Sequence, residues 1–210
     1  MPEPPAGAAD VFGAQVGLAE RYALLLETAG VERGLIGPRE GPRLWVRHLL
    51  NSAVLAEWVP SGARVVDIGS GAGLPGIPLL LARPDITVTL CEPMLRRVAF
   101  LELVRDELGL SLEVLRMRAE ELRPDGYDIV TARAVAPLTR LLTLAQPALA
   151  PSGALLALKG RNACAEVEAV RAGGSALSVE VELFDREVEG EMTHVVRIRW
   201  PGRTTRRRGR

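Results

Sequence analysis

Aromatic residues make up only 4% of this sequence, so its core must be assembled from Leu, Val, Ala and Ile. Apolar residues still reach 48%, enough to bury a sizeable interior. Cysteine is scarce. Cys91 and Cys164 stand far apart and match no metal-ligand spacing, which excludes a disulfide scaffold and a cysteine-held metal. Both thiols are expected to be reduced and structural, and no metal site is expected. No apolar run is long and uncharged enough to cross a bilayer. The acidic, Pro- and Ala-rich residues 1–10 lack the basic and apolar stretches of a signal peptide. A cytoplasmic protein without a membrane partner is therefore expected. Lysine is almost missing as well: Lys159 is the single lysine among 26 basic residues, and a lysine kept where arginine is otherwise used draws attention.

Formal net charge is zero but unevenly placed. From residue 197 onward the chain carries Arg197, Arg199, Arg203, Arg206, Arg207, Arg208 and Arg210, and no acid. By composition this run is either a solvated terminus or an arm for a polyanion, and both readings stay open.

A length of 210 residues suits one domain with extensions. Residues 1–10 read as a disordered leader, 11–200 as a single domain and 201–210 as a basic tail. Within the domain, 11–60 reads as a helical cap and 61–200 as the core. Helical spacing of apolar residues predicts helices over Val11–Ala29 and Leu44–Trp58, with a Gly- and Pro-rich loop over Gly34–Pro42 between them. The rhythm then changes. Arg64–Ile68, Thr87–Cys91, Leu112–Leu115, Tyr127–Thr131 and Ala154–Leu158 are short apolar strands. Helices are predicted over Ile77–Ala82, Met94–Leu108, Leu138–Leu149 and Ala163–Ala172, with a turn at Pro151–Gly153. Val179–Phe184 and His194–Trp200 alternate with period two around a charged turn at Glu189–Glu191, so they should pair antiparallel. Strands alternating with helices mean an α/β fold with a mostly parallel, doubly wound sheet. With its terminal antiparallel hairpin, this is a Rossmann-like, class I methyltransferase arrangement. The N-terminal helices are expected to cap the sheet's open end.

The strongest local pattern is VVDIGSGAGLPG, Val65 to Gly76, which lies between a strand and a helix. Gly69, Gly71 and Gly73 let the backbone turn sharply and a ligand lie against it. Glu92 ends the next strand, where a carboxylate accepts ribose hydroxyls. A dinucleotide and S-adenosylmethionine both satisfy these features. Two features tilt the balance toward S-adenosylmethionine. Asp67 would repel a pyrophosphate but tolerate an ammonium, and Pro75 and Pro78 remove N–H groups that a pyrophosphate would use. Ala119 and Glu120, after the third strand, stand where adenine is met in such folds; by sequence alone Arg118–Glu121 reads equally well as a helix start with Glu in its first turn.

The segment after the fourth strand narrows the methyl acceptor. Exocyclic-amine methylators carry Asn/Asp-Pro-Pro-aromatic there, whereas this chain has Thr131-Ala132-Arg133-Ala134. Neither cysteine stands where a C5 methylator needs its nucleophile. An acceptor with its own lone pair, such as guanine N7, remains. It needs no general base, only alignment and exclusion of water. A carboxylate acceptor would leave the same signature.

Trp45-Val46-Arg47-His48-Leu49-Leu50-Asn51-Ser52, VVDIGSGAGLPGIPLL, CEPMLRRVAFL, TARAVAPL and LALKG occur in that order along the chain. Together they resemble the bacterial 16S rRNA guanine-N7 methyltransferases, the RsmG or GidB family, over about residues 11–200. The resemblance implies S-adenosylmethionine as cofactor and, as partner, a guanine near the decoding centre of the small ribosomal subunit. By matched position it implies cofactor contacts from Gly69, Leu74, Ala119, Glu120 and Arg133, with Glu92 at the ribose and Asp67, Gly71 and Gly73 in the turn. Arg47, His48 and Lys159 would line the RNA-facing cleft. The tail arginines Arg203, Arg206, Arg207 and Arg208 lie outside the resemblance and would bind RNA on the polyanion-arm reading of the run. Arg133 and Lys159 would position the reactants, and no residue acts as catalytic base. A monomer is expected. Asn51 departs from the family's usual Asp, which removes a charge expected behind His48.

Overall fold

The computed structural model describes residues 3–173 and 178–201. Seven strands form one sheet: β1 (Arg64–Ile68), β2 (Thr87–Cys91), β3 (Leu112–Leu115), β4 (Tyr127–Arg133), β5 (Leu149–Lys159), β6 (Glu180–Val188) and β7 (Glu191–Arg199). Their spatial order is β3-β2-β1-β4-β5-β7-β6. β1 to β5 run parallel, and β7 inserts antiparallel between β5 and β6. The expected hairpin is present, with Glu189 and Gly190 both at positive φ in its two-residue turn. This strand, inserted antiparallel after β5, separates the fold from dinucleotide-binding sheets, whose usual order 3-2-1-4-5-6 places the sixth strand beside the fifth.

Side chains alternate across the sheet as apolar strands require. Val65, Ile129, Leu156 and Val195 join one core, and Val66, Val130, Leu155 and Val196 the other. On the first face lie α4 (Gly76–Ala82) and α5 (Leu95–Leu108); on the second, α6 (Leu138–Ala145) and α7 (Ala163–Ala172).

The N-terminal segment comprises α1 (Ala8–Phe12), α2 (Val16–Leu25) and a π-helical turn, Leu26–Gly30. The single helix expected over Val11–Ala29 is broken where Gly13 takes positive φ. A second helical run is continuous: π-helical Leu44–Leu50, α3 (Asn51–Ala53) and a 3-10 turn, Val54–Trp58. These helices do more than cap an open end. They thicken the α4–α5 face, stack Trp58 on Phe184 of β6 at 5.0 Å, and bring Arg47 and His48 to the carboxyl end of β4.

Two other expectations need correcting. The helix from Leu138 stops at Ala145, short of Leu149, because Pro147 has no N–H with which to continue the helical ladder. Pro151–Gly153 is not a turn before a strand but a bulge within β5: Tyr127 pairs with Leu149, while Ile129 already pairs with Ala154.

Candidate active site

The carboxyl ends of β1, β2, β4 and β5 share one rim, and the strand order reverses between β1 and β4. That crevice is where open α/β sheets bind ligands. Three cavities adjoin there. One of about 440 Å³ is lined by Gly69, Glu92, Met94, Arg97, Ala119 and Glu120. One of about 240 Å³ is lined by Gly69, Gly71, Leu74, His48 and Arg133. The largest, about 640 Å³, lies between β4, β5 and α7. Ala134 borders all three and takes φ +54°, a conformation costly for a residue with a Cβ.

The glycine turn makes the first two cavities. Gly69 has φ +67°, and a Cβ there would come within 2.8 Å of Val135 Cγ2. Gly73 serves packing instead: a Cβ would meet Ile77 and the Tyr22 hydroxyl, and Gly73 lines none of the three cavities. Glu92 is almost wholly buried. It accepts hydrogen bonds from the N–H groups of Gly71 and Met94, both at 3.0 Å, and pairs with Arg97. Ala119 and Glu120 form a 3-10 turn at the cavity wall, with the Glu120 carboxylate turned to Arg140 at 2.7 Å.

Asp67 differs from the other residues singled out in the sequence. It is fully buried beneath the turn, where its carboxylate accepts from the Gly76 N–H and the Thr131 hydroxyl, and it borders none of the three cavities. Its position shapes the turn rather than reaching into the crevice. Burial pushes its pKa up to about 7, against the hydrogen bonds that favour the charged form. The folded chain therefore keeps this proton longer than the unfolded chain does. The stability it contributes is full below the ordinary value of 3.8 and is lost as pH rises through about 7. Asp67→Asn cannot titrate, and its amide oxygen can still accept from the Gly76 N–H while its amide N–H donates to the Thr131 hydroxyl oxygen. Urea unfolding should show wild type losing stability relative to this variant by up to about 1.4 kcal/mol per pH unit between about pH 4 and pH 7. Parallel profiles would contradict that assignment.

Arg133 lies at the centre. Its guanidinium donates to the carbonyl of Arg47 at 3.0 Å, the Ser52 hydroxyl at 3.1 Å and His48 Nδ1 at 2.9 Å. Among the described residues no carboxylate forms an ion pair with it, so a full positive charge borders the crevice. His48 Nδ1 must accept from this permanent donor, which leaves the proton on Nε2, bonded to Glu40 at 2.9 Å. Burial first, and the Arg133 charge second, hold His48 below its ordinary value, so the imidazole is neutral at neutral pH. The carboxylate beside His48 is thus Glu40, which the sequence did not reveal. Asn51 faces away and donates to Thr193 of β7, so its substitution for Asp does not strip His48 of its partner.

Lys159 also differs from expectation. Its ammonium is turned inward, donating to the carbonyl of Ala136 at 2.7 Å and to Glu166 at 2.8 Å, with only 7% of the side chain exposed. It holds the cavity wall and offers little surface to RNA. Arg47 is half exposed and pairs with Glu40. Arg203, Arg206, Arg207 and Arg208 lie outside the described residues. Cys164 is exposed on α7, and the buried Cys91 thiol is pushed up to about 12, far from a nucleophilic thiolate. Among the described residues no cluster suits a metal ion, and no helix is long and apolar enough to cross a membrane.

A family model described as rRNA small subunit methyltransferase G, GidB, matches residues 15–195. The chain is 51% identical to a ribosomal RNA small subunit methyltransferase G of Corynebacterium jeikeium, over 93% of this chain and 91% of that protein. It is 56% identical to the protein of the same name from Streptomyces coelicolor, over 86% of this chain and 77% of that one. A solved S-adenosylmethionine-dependent methyltransferase of Aquifex aeolicus shares the fold, with a TM-score of 0.56 and 19% identity over 81% of this chain and 97% of that one.

Proposed function

This chain belongs to the rRNA small subunit methyltransferase G family, and from that premise we propose that it methylates N7 of a guanine in 16S rRNA near the decoding centre. S-adenosylmethionine is the cofactor, and it supplies a methyl group on a sulfonium that leaves as a neutral thioether.

The residues present fit that cofactor. The buried Glu92 borders the glycine turn and suits ribose hydroxyls. Ala119 and Glu120 stand where adenine would lie. The Arg133 guanidinium, bonded only to neutral acceptors, suits the methionine carboxylate. One observation carries the reading: both cofactor cavities and the larger cavity meet at Ala134, and Arg133 lines the larger cavity and the smaller cofactor cavity together, so donor and acceptor can face each other.

The lone pair of guanine N7 needs no proton removed before it attacks. This agrees with His48, whose two ring nitrogens are already engaged, and with the inert Cys91 thiol. Arg47 and the tail arginines Arg203, Arg206, Arg207 and Arg208 would hold phosphates, contributing affinity that falls with salt. On this reading the enzyme works in the cytoplasm as a monomer. Tritiated methyl transfer from S-adenosylmethionine to small-subunit RNA tests it. Label is expected in the small-subunit RNA and absent from large-subunit RNA. Equal label in both, or none in either, would reject the reading.

A further inference from the structure

The largest cavity holds a group that the proposed chemistry has not used. Glu166, in the first turn of α7, is the one carboxylate lining it among the described residues. Its Oε2 accepts both Lys159 Nζ at 2.8 Å and the N–H of Leu138, which opens α6, at 2.6 Å. Lys159 is itself anchored on Ala136 of the β4–α6 loop. The carboxylate is therefore fixed from three elements, β5, α6 and the β4–α6 loop. Oε1 takes part in neither bond, and 27% of the side chain remains exposed.

We propose that Glu166 is the specificity residue for the acceptor base, its Oε1 accepting N1–H and the exocyclic amine of guanine while N7 faces the cofactor. This inference rests on the function proposed above. A cavity of about 640 Å³ has room for a flipped nucleoside. Its chemistry then selects among bases. Guanine presents two adjacent donors on its Watson–Crick edge, which a fixed carboxylate accepts. Adenine N1 and cytosine N3 are acceptors and would leave the carboxylate facing a lone pair. Uracil has its one donor between two carbonyl oxygens.

The same contact assists the reaction. When N7 takes the methyl group, the base gains a positive charge. A carboxylate bonded across the ring system then interacts more strongly with the methylated base than with the neutral one, and that difference lowers the barrier. The ion pair with Lys159 holds the carboxylate in place rather than serving as an RNA contact. This explains why the chain's single lysine is turned inward.

The test compares acceptor RNAs carrying guanosine or inosine at the target position; inosine lacks the exocyclic amine but keeps N1–H and N7. Wild type should methylate the inosine RNA about 10- to 100-fold more slowly in kcat/KM. Glu166→Gln should lose a similar factor on guanosine RNA and a smaller one on inosine RNA, because there the amine contact is already missing and only the N1–H contact remains to be lost. S-adenosylmethionine affinity should be unchanged in this variant, since Glu166 borders only the acceptor cavity. Wild type that uses inosine as well as guanosine would overturn the proposal without recourse to any variant. A Glu166→Gln loss of equal size on both RNAs would also overturn it, since that pattern belongs to a strut between α6, α7 and β5. Failure of wild type to label the guanosine RNA at all would instead overturn the functional reading, and this inference with it.

Discussion

Gly69→Asp is expected to weaken S-adenosylmethionine binding at least about 100-fold in calorimetry while the chain stays folded. The backbone at this position has φ +67°, which costs an L residue about 1–2 kcal/mol before any contact is counted. A Cβ would then lie 2.8 Å from Val135 Cγ2 and 3.3 Å from its Cγ1. Val135 is 38% exposed and can give way, so the substitution should be tolerated by the fold. The added carboxylate, however, would occupy the lip shared by both cofactor cavities, close to Glu92. Gly69→Ala separates strain from blockage: it should fold with a smaller loss of affinity. Unchanged affinity in folded Gly69→Asp would remove this turn from the cofactor site.

Arg133→Ala should lower methyl transfer by about two to three orders of magnitude, about 3–4 kcal/mol of barrier, while RNA affinity and its salt dependence change little. The guanidinium joins β4 to the π-helical run through the carbonyls of Arg47 and His48, the Ser52 hydroxyl and the His48 ring. Its loss removes both the positive charge facing the crevice and the group that orients His48. Arg133→Lys should rescue poorly, because a single ammonium cannot reproduce the planar fork. NMR gives a second readout. Without its positive neighbour and with Glu40 still in place, His48 should titrate at higher pH than in wild type. Full activity together with an unmoved His48 titration would refute this role.

Much of this site is legible in the sequence because its parts are local. β1, β2 and β3 start and stop where short apolar runs meet glycine, proline or polar residues, and the structure has those bounds. The glycine turn can be read for the same reason, since backbone freedom, strand and helix lie within a dozen residues. The hidden parts depend on contacts across the fold. Glu40 and His48 are eight residues apart and meet once the chain folds through the 3-10 turn Gly41–Arg43 into the π-helical run from Leu44. Glu166 meets Lys159 and the start of α6 only once α7 has packed beside it. Asp67 and Lys159 stand out in the sequence as unusual, but their side chains point inward. A strand-end position says where a residue stands, not where its side chain turns. The helix expected to reach Leu149 illustrates the opposite error, in which continuing apolar spacing outweighs the proline that ends it.

The central claim, that this crevice delivers a methyl group to a ring lone pair of guanine, is tested most directly by the identity of the product. Small-subunit RNA lacking the modification would be incubated with the enzyme and S-adenosylmethionine, digested to nucleosides and resolved by mass spectrometry. The arrangement of Arg133, the fully engaged His48 and the buried Cys91 thiol predicts 7-methylguanosine as the new nucleoside, formed equally well by Cys91→Ser and Cys164→Ser variants. Appearance of N2-methylguanosine or 5-methylcytidine, or loss of product in a folded cysteine variant, would contradict it.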